Sequence, residues 1–134
     1  MAHRQNSAML RISLPVAAYA AGTTPERARA LLRHGLPLQA DRDRLPGEHR
    51  RLSRRDVRVL AVAAALSRAG LSPAAAVRSL TPYLDLLSAP ILGTRLEIQA
   101  DQHGGCSPVL VDLSAIERRL ALNLPYKGLF DATA

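Results

Sequence analysis

The stretch Gly22-Thr23-Thr24-Pro25-Glu26-Arg27-Ala28-Arg29-Ala30-Leu31-Leu32-Arg33-His34-Gly35-Leu36 decides how this chain of 134 residues is read. Thr24 offers a hydroxyl ahead of a helix, Pro25 suits the first helical position, and Glu26 sets an acid in the first turn. Gly35 supplies the stop. Ala28, Leu31 and Leu32 share one face, while Glu26, Arg27, Arg29 and Arg33 spread over the remainder, so the helix divides into a buried stripe and a basic surface. Just upstream, Pro15 to Ala21 is a run of small or apolar residues closed by Gly22, the residue type that ends helices. Two helices separated by three residues meet over a tight turn, and Ala18, Gly22 and Ala28 are small where that contact leaves no room.

On the amino-terminal side, Leu10-Arg11-Ile12-Ser13-Leu14 alternates as a short strand would. On the other side, Leu36 to Leu52 contains Pro37, Pro46 and Gly47 with Arg42, Asp43 and Arg44 between. Its ends, Leu36 to Gln39 and Glu48 to Leu52, read as the arms of a hairpin with a polar tip, the place for a wing. Ser53 to Asp56 has the form of a capping box. The helix behind it, through Val57, Leu60, Ala61, Ala64 and Ala65 to Gly70, is so apolar around its circumference that it belongs at the centre of the core. Ser72-Pro73 starts a further helix carrying Ala76, Val77 and Leu80, which Pro82 ends.

Beyond Pro82 the pattern changes to strand, turn, strand, helix. Thr94 to Ala100 puts Leu96 and Ile98 on one face, Gly104-Gly105 marks a turn, and Val109-Leu110-Val111 reads as a buried strand. Asp112 or Ser114 can cap the last helix, and Ser114 and Glu117 are spaced as a capping box. Ile116, Leu120 and Leu124 then repeat every fourth residue. That stripe suits either the chain's own hairpin or the same stripe of a second copy.

Composition narrows the function classes. The chain is 48% hydrophobic but has no Trp, one Phe and three Tyr, so its core must be built from Leu, Val, Ile and Ala. Val57 to Leu66 is interrupted by Arg58 and falls short of a membrane span, and Met1 to Leu14 lacks the apolar run of a secretory signal. A cytoplasmic, nucleoid-associated protein is expected. The net charge of +7 is unevenly placed: residues 1–82 carry fourteen Arg against five acids, and residues 83–134 carry four basic residues against six acids. Ten of those arginines crowd between Arg27 and Arg58. Arginine's planar fork suits phosphate oxygens and guanine edges. The lone Cys106 excludes an internal disulfide, His103 and Cys106 are too few for a zinc site, and no nucleophile signature points to catalysis. His34 and His49 suit phosphate contact or plain solvation equally. Arg54, Arg55 and Arg58 suit either a backbone grip or a solvated helix face.

Gly22-Thr23-Thr24, Arg29 seven residues after the glycine, Gly35-Leu36, His49-Arg50-Arg51-Leu52, Asp56-Val57 and Gly70-Leu71-Ser72 together resemble the DNA-binding domain of the MerR family over about residues 10–82. The resemblance implies a winged helix-turn-helix whose helix from Thr24 to His34 enters the major groove. It also implies that Arg29 and Arg50 or Arg51 grip the duplex and that the hairpin tip follows the backbone. The chain departs from the family pattern at Ala30 and Leu31, where aromatic residues are usual, and at Leu52, which lacks a phosphate-contacting hydroxyl. Pro82, Pro90 and Gly93 also break the long helix through which the family dimerises, so its promoter-untwisting mechanism does not transfer.

The expectation is therefore a mainly α fold with a small β component: a winged helix-turn-helix over residues 1–82, and a hairpin plus helix over 83–134 for packing or dimerisation. Base edges would be read by the helix around Thr24, Glu26, Arg27 and Ala30, with Thr23 also at the DNA surface, and phosphates held by the arginine cluster of Arg29, Arg33, Arg42, Arg44, Arg50, Arg51 and Arg54. A homodimer would use Ile116, Leu120 and Leu124. The function expected is sequence-specific transcriptional regulation of bacterial or phage type on double-stranded DNA, with no cofactor and no small-molecule or metal effector. Alternatives are an architectural DNA-binding factor, excisionase-like or small terminase-like, and a protein-interaction adaptor with a basic face.

Overall fold

A computed structural model describes residues 12–42, 44, 45, 47, 50–88, 95–102 and 105–123. Strand β1 (Ile12–Ser13) leads directly into α1 (Leu14–Ala21) and α2 (Pro25–Arg33). A 3-10 turn at Gln39–Asp41 precedes β2 (Arg51–Leu52), α3 (Arg54–Arg68) and α4 (Pro73–Leu80). A second 3-10 segment, Thr81–Leu87, is followed by β3 (Arg95–Gln102), β4 (Gly105–Asp112) and α5 (Leu113–Asn123). The described chain is thus mainly helical with a small β component.

Local chemistry sets the helix ends. At Gly22, φ is +82°, and the Gly22 and Thr23 amides return to the Tyr19 and Ala18 carbonyls at 3.1 and 2.9 Å. That left-handed step ends α1 and lets α2 begin after three residues. Thr24 Oγ1 accepts from Arg27 N at 3.2 Å as the N-cap of α2, with Pro25 and Glu26 in its first turn. Gly35 repeats the device at φ +90°, where Leu36 N bonds the Leu31 carbonyl at 3.2 Å and Leu36 is turned into the core. Ser53 and Ser72 cap α3 and α4, with Asp56 completing a capping box on α3.

The hairpin expected between Leu36 and Leu52 is not what forms. Leu36 to Leu38 has no strand; Leu36 and Leu38 are buried because the chain runs under the helices before entering its 3-10 turn. β2 pairs instead with the amino-terminal strand, Ile12 opposite Leu52 and Ser13 opposite Arg51, and both Ile12 and Leu52 are buried. Leu10, Arg11, Asp43, Pro46, Glu48 and His49 lie outside the described residues.

One buried cluster runs across position 82. α3 lies at its centre, with Val57, Val59, Leu60, Val62 and Leu66 all inaccessible and α1, α2, α4, α5 and β4 packed around it. The β3–β4 ribbon is antiparallel, pairing Leu96 with Val111 and Ile98 with Val109. Its inner face, Ile98, Ala100 and Val111, joins the same core, with β3 against α4 and β4 against α3. His103 and Gly104, together with Pro90 and Gly93, fall outside the described residues, as does the Cys106 side chain. α5 is capped by Asp112, whose Oδ1 accepts from Ala115 N at 3.0 Å. Ile116 and Leu120 are buried within their own chain, but chiefly where α5 packs on α1 and α3, with the expected hairpin touching α5 less, through β3. They are not free for a second copy. Leu124 lies outside the described residues. Among those residues no helix is long and apolar enough to cross a membrane.

The Ser114–Glu117 capping box expected for α5 does not form, because Asp112 already caps the helix and Glu117 turns inward to α3. Its carboxylate, 4% exposed, accepts from Arg58 Nε and from Arg54 Nη2 at 3.0 Å, while Arg58 Nη1 reaches the Leu87 carbonyl at 2.8 Å. Arg58 is therefore a buried structural residue, not a backbone grip or a solvated charge. Burial alone would raise the Glu117 pKa, but the hydrogen bonds and charges of Arg58 and Arg54 outweigh it and hold the carboxyl below its ordinary value. A carboxylate with a depressed folded pKa stabilises the fold fully above its unfolded value, about 4.3, and loses that contribution as pH falls through the folded value. Glu117→Gln is expected to cost about 3 kcal/mol at pH 7, because it strands a buried guanidinium. Urea unfolding should show the gap between variant and parent narrowing as pH falls below about 4.3 and on through the depressed folded value; a gap that stays the same from neutral to acid pH would refute the ionic role.

Candidate nucleic-acid interface

The loop after α2 is held by a buried acid at the start of α3. Asp56 is fully inaccessible, and its Oδ1 accepts from Gln39 N at 2.7 Å while Oδ2 accepts from Ala40 N at 3.0 Å and Ser53 N at 3.4 Å. Three backbone donors converge on one carboxylate. Arg55 adds a bond from Nη1 to Asp56 Oδ1 at 3.3 Å and another to the Pro37 carbonyl at 3.2 Å. Ser53 Oγ donates to Gln39 Oε1 at 3.1 Å. The loop from Gly35 is thereby held to the same helix end that the capping box begins.

Charge pairing sorts the ten arginines between Arg27 and Arg58 into two sets. Arg44 and Arg50 both meet Asp41 Oδ1, at 3.4 and 2.6 Å; Arg55 meets Asp56; Arg54 and Arg58 meet Glu117. The other five, Arg27, Arg29, Arg33, Arg42 and Arg51, are exposed and enter no ion pair among the described residues. Four of these five sit on α2 or in the loop that Asp56 anchors, and Arg51 sits on β2. An exposed guanidinium with no acid beside it keeps its donors available to an anion.

On α2 the spacing separates the candidates further. Glu26, Arg29 and Arg33 follow at intervals of three and four and so share the outer face, all exposed. Arg27 lies on the flank and lines a cleft of about 270 Å³ with Thr23, Ser67 and Arg68. Thr23 is half-buried, and Thr24 is exposed with its oxygen engaged in the cap. His34 is exposed at the end of α2. Arg50 and Arg54 are half-buried in their ion pairs rather than presented to solvent.

Two further cations at this end carried no signal in the sequence. Arg68 Nη1 donates to the Gly22 carbonyl at 3.1 Å, and the Arg119 guanidinium lies against Gly22 from α5. Burial and the Arg119 charge hold the Arg68 guanidinium below its ordinary pKa, and it remains a cation at neutral pH. Only the packing of α5 on α1 brings these residues together. No family model, curated protein or solved structure matches the chain.

The Asp56 anchor makes a local prediction. Asp56→Asn is expected to destabilise by about 3 kcal/mol, since a carboxamide presents fewer acceptors to the buried amides. Ser53→Ala should cost about 1 kcal/mol, the ordinary loss of a cap. Hydrogen exchange at Gln39 and Ala40 should accelerate only in the Asp56 variant. If both variants cost the same and neither amide is deprotected, Asp56 serves the cap alone.

Proposed function

We propose that the chain is a sequence-specific DNA-binding regulator of bacterial or phage type that inserts α2 into the major groove as the reading helix of a winged helix-turn-helix. The observation that carries this reading is the sorting of the arginines: one set is spent on the scaffold, and the set that enters no ion pair among the described residues lies on α2, on the loop after it and on β2. The three-residue turn, the capped and amphipathic α2 and the exposed Glu26–Arg29–Arg33 face support it.

In this reading Arg29, Arg33, Arg42 and Arg51 hold phosphates and set the register, while Glu26 and Thr24 at the start of α2 approach base edges. Glu26 can accept from a cytosine amino group and so favours some sequences over others. Arg27 approaches from the flank. The anchored loop from Gln39 stands in the place of a wing, held by Asp56 rather than by hairpin pairing. Arg44 and Arg50 brace that loop through Asp41, and Arg54 contributes to the scaffold. The reading needs no small-molecule or metal effector. A homodimer on a palindromic site would need a face other than Ile116 and Leu120.

The test is affinity for genomic fragments as a function of salt. Each phosphate contact contributes about 0.9 to the slope of log K against log salt, so Arg29→Ala and Arg33→Ala should each lower it by about one and weaken all sequences alike. Glu26→Ala should change the ranking of sequences while leaving the slope unchanged. Parent protein that neither loses affinity with salt nor prefers any fragment over competitor DNA would eliminate DNA binding and favour the protein-adaptor alternative.

A further inference from the structure

Arg68 at the end of α3 and Arg119 in α5 converge on the turn between α1 and α2. A Cβ built on Gly22 would overlap Arg119 Nη1 and stand 3.5 Å from Arg68 Nη1, so both guanidinium groups border the same few atoms of turn backbone. Both side chains are exposed, and among the described residues neither enters an ion pair. Asp112 lines the same depression, but its Oδ1 is engaged by Ala115 N at 3.0 Å. Two like charges held together with no acid in ion-pair contact among the described residues repel each other, and an anion seated between them turns that repulsion into attraction to a common partner. Guanidinium forks match tetrahedral phosphate oxygens with paired donors. Chloride or water satisfies them less well.

The surroundings favour the backbone of a large ligand over an enclosed small molecule. The pair is open to solvent, and it is continuous with the exposed start of α2. Arg68 shares the neighbouring cleft with Thr23 and Arg27, so Arg27, Arg68 and Arg119 form an arc from the flank of α2 to the carboxy-terminal helix. We propose that Arg68 and Arg119 form a seat for a backbone phosphate of the duplex that α2 reads, so that α5 contributes directly to the DNA surface. The inference rests on the DNA reading of α2 given above. It assigns to the carboxy-terminal unit a role that its buried Ile116–Leu120 stripe does not supply: the stripe and Glu117 dock α5, and docking brings Arg119 to Gly22.

Arg119→Ala is the test variant, because its exposed side chain can be removed without opening the core. Arg118→Ala is the control: it removes a neighbouring exposed charge whose guanidinium bonds Ser114 Oγ at 2.9 Å and enters no ion pair among the described residues. On a duplex carrying a preferred site, Arg119→Ala should lower the salt slope by about one, with the Arg118 variant keeping the parent slope. Equal slopes for parent and Arg119→Ala, or equal reductions in both variants, overturn the seat. A second measurement does not depend on DNA. With isotope-labelled arginine, the Nε resonances of Arg68 and Arg119 should shift as inorganic phosphate replaces chloride at constant ionic strength, and that of Arg118 should not. If the resonances shift but the parent binds no DNA, the duplex is overturned as the source of the phosphate, together with the DNA reading of α2. If the parent binds DNA while neither resonance moves and the slope is unchanged, the seat alone fails.

Discussion

The buried contact of Arg58 with Glu117 is the constraint from which the arrangement of the carboxy-terminal half follows. Removing two charges from water costs several kcal/mol per ion, and the contact is sustained only because every strong acceptor is used. Arg58 divides its donors between Glu117 and the Leu87 carbonyl, and Arg54 takes the other carboxylate oxygen. Three segments distant in sequence, α3, the 3-10 turn before β3, and α5, are thereby fixed to one point. An apolar contact at this place would bury area without orienting the helix. The ionic one sets the rotation of α5 about its axis, with Glu117 toward α3, Ile116 and Leu120 in the core, and Arg119 at Gly22.

The same economy governs the amino-terminal half. Acids are scarce there, and among the described residues Asp41 and Asp56 are placed where they organise backbone or gather more than one cation. Asp56 holds three amides and Arg55; Asp41 takes Arg44 and Arg50. With Glu117 added, three carboxylates engage five of the ten arginines between Arg27 and Arg58, and the five that enter no ion pair among the described residues lie on α2, in its following loop and on β2. The surface charge is thus a remainder left by scaffold pairing, which is why net charge alone said little about where it would appear.

Legibility in the sequence followed the range of the forces involved. Helix ends were readable because caps and left-handed glycines act within five residues: Thr24, Ser53, Ser72, Gly22 and Gly35 all stand where their side chains, or lack of them, require. The partner of β2 was not readable. Leu36 and Leu38 alternate with polar or cyclic neighbours as a strand would, yet they are buried under helices, and Leu52 meets Ile12 across the fold. Glu117 was deceptive for a similar reason, since its spacing from Ser114 suits a local cap while its bonds go to residues in α3. Arg58 did carry a signal: an arginine inside a helix apolar on all sides has to be buried, and therefore paired. The basic face of α2 was visible from periodicity, but which of the neighbouring arginines were already engaged depended on acids in other elements.

The alanine content of the core has a mechanical consequence. Ala17, Ala18, Ala20 and Ala21 in α1, Ala61, Ala63 and Ala64 in α3, and Ala75 and Ala76 in α4 are all buried. Alanine surrenders no rotamer entropy when it is buried, which helps a small, aromatic-poor domain to fold with a modest hydrophobic gain. It also has no rotamers with which to absorb sliding between helices. α1, α3 and α4 therefore form a stiff block, and α2 is joined to it through Ala28 and Leu31. Compliance toward any ligand must come from the long arginine side chains, while the axis of α2 keeps its angle to the block.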